Sequence, residues 1–220
     1  MGRSVRGDAA ARSSRTALPP NPWGGRRRAR VGLLGGSFNP AHEGHRHIAL
    51  LALKLLALDE IWCLVSPQNP MKPRSGMAGL AERLAGARAV ARGHPRIRVT
   101  AIERNLGTRY TADTVAALRR RFPNIRFVWL MGADNLVQIS RWNRWTRIFQ
   151  LLPVAVLDRS PYSERALAAK AARRFARFRQ PPQASRRLVE RAPPAWVFLH
   201  TRLHPASATA IRTRRRGRRP

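Results

Sequence analysis

The chain is expected to be an α/β protein, a single domain on an open, mostly parallel sheet with helices on both faces. Three observations predict this. Short apolar runs alternate with helix-like segments from residue 30 almost to the C-terminus, and repeated βα alternation is the mark of a parallel sheet with crossover helices. Glycines, prolines and isolated polar residues fall directly after the strand-like runs, at the strand ends where open α/β sheets bind ligands. A length of 220 residues with 44% hydrophobic content suits one sizeable core.

The elements follow in order. Residues 1–29 hold Arg, Ser, Gly and Pro, including Pro19-Pro20-Asn21-Pro22, without a hydrophobic period, so they are expected to be a disordered basic extension. The folded domain is then 30–213, and the arginine run of 214–220 a solvated basic tail. Arg30–Leu34 is a strand and Gly44–Leu56 a helix, apolar on one face. Ile61–Val65 is a second strand, followed by a loop with Pro67, Pro70 and Pro73. Leu80–Arg92 reads as a helix, Ile97–Ala101 as a strand, and Thr111–Arg121 as a helix entered through a Thr/Tyr turn. Phe127–Met131 is a central strand ending at Gly132-Ala133-Asp134. One or two short helices cover Leu136–Phe149, and Val154–Leu157 is a strand. Glu164–Arg179 reads as one basic amphipathic helix, Trp196–Leu199 as a late strand, and Ser207 onward as a final helix.

Composition excludes several classes. Cys63 is the single cysteine, so an internal disulfide and a cysteine metal cage are ruled out. Its place in the apolar run Ile61–Val65 suggests a buried, unreactive thiol. No stretch has the roughly 18 uninterrupted apolar residues of a membrane span, and the N-terminus lacks the apolar core of a secretory signal. A cytoplasmic location is expected. The formal charge is +32, from 43 Lys+Arg against 11 Asp+Glu, with lysine only at 54, 72 and 170. So lopsided an arginine excess is discounted as a sign of a specific nucleic-acid partner, although it attracts anions generally. The sequence carries no signal for an oligomeric state.

The most specific stretch is Gly35-Gly36-Ser37-Phe38-Asn39-Pro40-Ala41-His42-Glu43-Gly44-His45, directly after the apolar run Val31–Leu34. Gly35 and Gly36 let the backbone turn and approach a ligand closely. Asn39-Pro40 is expected to fix an extended step before the helix. His42 and His45, three apart at the helix entrance, project to one side. Free N–H groups and the positive end of the helix dipole favour phosphate there. Two imidazoles can then donate to phosphate oxygens and stabilise a pentacoordinate phosphoryl centre.

Those residues resemble the His-x-Gly-His signature of the nucleotidyltransferase superfamily, whose members share a Rossmann-like fold. A second signature of that superfamily lies near the C-terminus as Ser207-Ala208-Thr209-Ala210-Ile211-Arg212. There Ser207 can cap the last helix while Thr209, free N–H groups and Arg212 hold a polyphosphate. Ala208 replaces a usual hydroxyl, which removes one hydrogen bond worth on the order of 1 kcal/mol; Ala206 replaces an aliphatic residue. Within the superfamily the chain is most similar, from about Val31 to Arg212, to the bacterial nicotinate-nucleotide adenylyltransferases. Ser66–Lys72, Arg109–Thr114, Gly132–Leu136 and Trp142 carry that likeness.

The resemblance implies an adenylyltransferase that joins nicotinate mononucleotide and ATP into deamido-NAD and pyrophosphate. It implies that His42, His45 and Arg212 are catalytic. Gly35, Gly36, Ser37, Phe38, Gly132, Asp134, Ser207 and Thr209 would bind ATP. Tyr110, Thr111 and Trp142 would hold the mononucleotide, with Lys72 and Arg159 as further phosphate contacts. Mg²⁺ is expected to arrive with ATP, because no carboxylate cluster suggests a protein cage. Plainer readings stand beside these. Aromatics three apart, such as Trp142 and Trp145, usually pack a core, and Asp134 could simply cap the helix after its strand. The rival functions are a related transferase acting on nicotinamide mononucleotide or phosphopantetheine, and a non-catalytic RNA-binding protein on the same fold.

Overall fold

Parallel pairing runs through the whole sheet, whose strand order is β3-β2-β1-β4-β5-β7-β6. The computed structural model describes residues 18–67, 76–158 and 163–201. The strands are β1 (Ala29–Gly36), β2 (Glu60–Val65), β3 (Ile97–Thr100), β4 (Ile125–Gly132), β5 (Val154–Leu157), β6 (Arg179–Gln180) and β7 (Trp196–Leu199). The described helices are α1 (Glu43–Leu55), α2 (Leu80–Ala91), α3 (Ile102–Leu106), α4 (Thr111–Arg121), α5 (Ala133–Gln138), α6 (Trp145–Leu151), α7 (Ser163–Leu167) and α8 (Lys170–Arg174). Short 3₁₀ turns fill Ile139–Arg141, Ala176–Phe178 and Pro182–Glu190. The fold is the expected open parallel sheet.

Both faces of the sheet are covered, and so the strands read as nearly continuous apolar runs. Along β1, Val31 and Leu33 join a core with Trp129, Val115, Leu118 and Phe149. Leu34 turns to the other face, into a core with Ala49, Ala52, Leu130 and Val189. Every residue of β2 is buried. Cys63 lies within it, and burial pushes its thiol up to about 12, as expected of an unreactive cysteine.

Two local findings correct the sequence reading. Glu164–Arg179 is not one helix: α7 ends at Leu167, Ala169 is extended (φ −66°, ψ 154°), α8 stops at Arg174, and the chain then enters β6. The Trp196 indole donates to the Phe175 carbonyl at 2.7 Å, and the Phe175 ring stacks on Phe149 at 4.4 Å. Those contacts pull the segment toward β7 in preference to a continuous helix. The second correction is α3, a single turn unmarked by any period and ended by Gly107 in the left-handed region. Thr111–Arg121, Val154–Leu157 and Trp196–Leu199 have the expected bounds.

Residues 18–28, which composition assigns to the N-terminal extension, make contacts with the domain. Arg27 pairs with Glu60 at 2.7 Å, Arg98 donates to the Leu18 carbonyl, Arg121 to the Pro22 carbonyl, and Asn124 to the Arg26 carbonyl.

Candidate active site

The strand order reverses at β1: β2 and β3 extend to one side of it and β4, β5 and β7 to the other. Such a switch point opens a crevice at the carboxyl ends of the strands. Register brings those ends together. Gly36 is level with Val65 of β2, Leu34 with Leu130 of β4, and Gly132 with Leu157 of β5.

Gly35 and Gly36 are the last residues of β1, one step earlier than a turn after the strand. A Cβ on Gly35 would lie 2.5 Å from the Trp129 indole, so close packing against β4 excludes a side chain there. Ser37 and Phe38 follow, both buried, and Phe38 is held at φ 47°, uncommon for a residue with a Cβ. The Asn39–Pro40 peptide is cis. Asn39 donates to the Gly76 carbonyl and accepts from the Ala78 N–H, which ties this loop to the approach to α2.

His42 is the N-cap of α1 and His45 its third residue. The two rings lie 3.9 Å apart between centroids, and the Phe38 ring packs tilted against His45 at 4.6 Å. The His42 backbone N–H donates to His45 Nδ1 at 3.2 Å. A neutral ring that accepts at Nδ1 carries its proton on Nε2, where it is a donor. The first turn of α1 thus sets a buried imidazole and an oriented N–H donor at the positive end of a long helix, an arrangement able to stabilise negative charge.

On the opposite face of the sheet from α1, Tyr110 is the N-cap of α4 and Thr111 its first residue. The Arg109 guanidinium lies 5.7 Å from the Tyr110 ring centre. Arg144 pairs with Asp113 at 2.7 Å, which holds the segment bearing Trp142 against the start of α4. Trp142 and Trp145 both pack partly buried on the core. Trp145 goes deeper into aromatic company, edge-on to Phe149 and Phe175. Gly132, not Asp134, is the N-cap of α5, and Asp134 sits within its first turn.

Lys72, Arg159, Ser207, Thr209 and Arg212 lie outside the described residues. Among the described residues, no group of three or more His, Cys, Asp or Glu side chains could hold a metal ion, and no helix is long and apolar enough to cross a membrane.

Two buried polar residues at this edge escaped the sequence reading. Arg83, 3% exposed, bonds the carbonyls of Ser37, Ser66, Pro67 and Ala78; in so arginine-rich a chain it has no distinguishing mark. Glu103 is also buried, and burial pushes its carboxyl up to about 7 against the opposing hydrogen bonds of Ser66 and Thr114. Thr114 in turn meets Thr108 at 2.9 Å and donates to the Tyr110 carbonyl at 3.3 Å. The available signal was scarcity, since an acid three residues past a strand stands out among only 11.

Comparison with known proteins agrees with this fold. The family model described as Cytidylyltransferase-like matches residues 33–214. A Bradyrhizobium sp. (strain BTAi1) protein named "Probable nicotinate-nucleotide adenylyltransferase" is 54% identical over 183 residues, covering 83% of this chain and 95% of its own. Proteins of the same name from Cereibacter sphaeroides (strain ATCC 17023) and Gluconacetobacter diazotrophicus are 52% and 49% identical, covering 86% and 90% of this chain and 98% and 93% of theirs. Among solved structures, a Plasmodium falciparum nicotinic acid mononucleotide adenylyltransferase complexed with NaAD superimposes with a TM-score of 0.62 at 14% identity, covering 84% of this chain and 83% of that one. At that identity the likeness is one of fold.

Proposed function

Because the chain belongs to the cytidylyltransferase-like family, and within it to the nicotinate-nucleotide adenylyltransferases, we propose that it transfers AMP from ATP to nicotinate mononucleotide in NAD biosynthesis. One observation carries the reading: relatives named for this activity align at 49–54% identity over 83–90% of the chain. A phosphate oxygen of the mononucleotide attacks the α-phosphorus of ATP in line. The bond from that phosphorus to the α,β-bridging oxygen breaks as the new one forms, and that oxygen leaves with the pyrophosphate. Deamido-NAD and pyrophosphate result, with no covalent enzyme intermediate.

His45, through its Nε2–H, and His42 stabilise the charge that builds on the α-phosphate, where donors fixed in advance contribute most. Gly35, Gly36, Ser37 and Phe38 let the phosphates approach β1. Gly132 and Asp134 hold the adenosine ribose. Ser207, Thr209 and Arg212 hold the departing β,γ-phosphates. Tyr110 and Thr111 bind the mononucleotide and Trp142 stacks on its pyridine ring, while Lys72 and Arg159 add phosphate contacts. Mg²⁺ would arrive with ATP and would supply charge neutralisation. Highly charged substrates that do not cross membranes unaided fit a cytoplasmic enzyme.

The test is pyrophosphate release with ATP and Mg²⁺, with nicotinate mononucleotide, nicotinamide mononucleotide and phosphopantetheine offered in parallel. Release with the nicotinate substrate far above the other two is expected. His45→Ala should lower kcat by about 10²–10³, the usual scale for one oriented donor, with an unchanged fold. Equal release with phosphopantetheine, or none with any acceptor, would overturn the assignment.

A further inference from the structure

Arg83 enters the first turn of α2 and is 3% exposed. Among the described residues its guanidinium donates four hydrogen bonds, each to a main-chain carbonyl. Nε reaches Ala78 at 2.9 Å, Nη1 reaches Ser37 at 2.8 Å and Ser66 at 2.7 Å, and Nη2 reaches Pro67 at 2.8 Å. Three separate loops therefore converge on one planar group: the turn after β1, the exit of β2, and the approach to α2. A buried arginine ordinarily sits opposite a carboxylate. None of the described residues supplies one to Arg83, and burial alone lowers its pKa. So costly a burial is retained only where the fork geometry is needed.

The Ser37 carbonyl immediately precedes Phe38, the residue in the left-handed region. Phe38 packs tilted against His45, whose Nδ1 is already engaged by the His42 N–H. A short chain of contacts thus runs from Arg83 through the Ser37–Phe38 turn to the ring that presents Nε2–H to phosphate. We propose that Arg83 is a positioning residue for phosphoryl transfer, clamping the turns after β1 and β2 so that His45 meets the α-phosphate in the transition state. It need not touch substrate. Lysine cannot replace it, because a single ammonium has no planar fork to span carbonyls on three loops.

This inference rests on the adenylyl-transfer reading, and the experiment separates the two. Arg83→Lys and Arg83→Gln are assayed beside the native chain for kcat and for KM of ATP and nicotinate mononucleotide, well below each variant's Tm. The His45 ring nitrogens are followed by ¹⁵N NMR. The lysine variant keeps the charge and most of the stem, so it tests the geometry even where the glutamine variant fails to fold. Expected for Arg83→Lys is a kcat loss of about 30-fold or more, with both KM values within about threefold of native. His45 should then populate both tautomers, where the native ring holds its proton on Nε2. A folded Arg83→Lys with native kcat, or with native His45 signals whatever its kcat, would overturn the proposal. An inactive native chain would instead sink the functional reading itself.

Discussion

At the scale of single residues, Glu103 makes stability depend on pH in an uncommon direction. Its carboxyl is pushed from 4.5 to about 7 by burial, with hydrogen bonds from Ser66 and Thr114 only partly opposing the shift. Between those two values the unfolded chain has released the proton while the folded chain retains it. Stability therefore falls as pH rises through this window, in contrast to a carboxylate whose pKa folding depresses. The gap corresponds to roughly 3 kcal/mol once both states are ionised. Glu103→Gln keeps the shape and the hydrogen-bonding capacity and removes the titration. Urea unfolding at pH 5 and pH 8 should show the native chain losing roughly 2.5 kcal/mol relative to Glu103→Gln over that interval. A difference that stays constant with pH would mean that Glu103 is ionised in the fold. Glu103 and Arg83 illustrate what sequence alone withholds. His42 and His45 were legible because a glycine frame and a helix start mark them, whereas a buried Glu or Arg is recognised only by what surrounds it.

Among the elements, β1 was easy to place from its apolar run, but its last residues were not. Gly35 and Gly36 suggested a turn, yet they complete the strand. The reason is Trp129, buried at 2% on the neighbouring strand, with its ring occupying the space a Gly35 side chain would need. Sequence could not reveal this, because the pairing of β1 with β4 joins residues almost a hundred apart. The same kind of long-range contact explains the broken helix at Glu164–Arg179, where local periodicity favours a helix and Trp196 and Phe149 override it. Gly35→Ala should consequently destabilise the fold by about 1–3 kcal/mol, the usual cost of overfilling a packed interior. Trp129→Phe should shrink that penalty when the two are combined, because the clashing ring atoms are then gone. Thermal unfolding of both singles and the double gives the coupling. Additive effects would mean that the strain lies elsewhere along β1.

Across the whole molecule, charge is the dominant feature that neither the fold nor the site requires. Four of the described acids are already engaged by arginine: Asp59 with Arg30, Glu43 with Arg92, Asp113 with Arg144, and Glu60 with both Arg27 and Arg98. With 43 basic residues against 11 acidic, even two cations on every acid would leave about half of them facing only other cations. Salt then acts in two opposed ways. It weakens exposed ion pairs, each worth about 0–1 kcal/mol, and it screens the mutual repulsion of the uncompensated arginines. Glu60, held down at about 2 chiefly by Arg98 and Arg27 despite its burial, is shielded from solvent and resists screening. The exposed pairs are few and individually weak, whereas the repulsion is summed over the entire surface, so the second effect should win. Raising NaCl from about 0.1 M to about 1 M, which shortens the screening length from about 10 Å to about 3 Å, should therefore raise Tm by about 3–6 °C. Affinity for heparin, a polyanion with no sequence to read, should fall steeply over the same range. A Tm that drops with salt would reverse the ranking and make the ion pairs, not the arginine excess, the larger electrostatic contribution to the folded state.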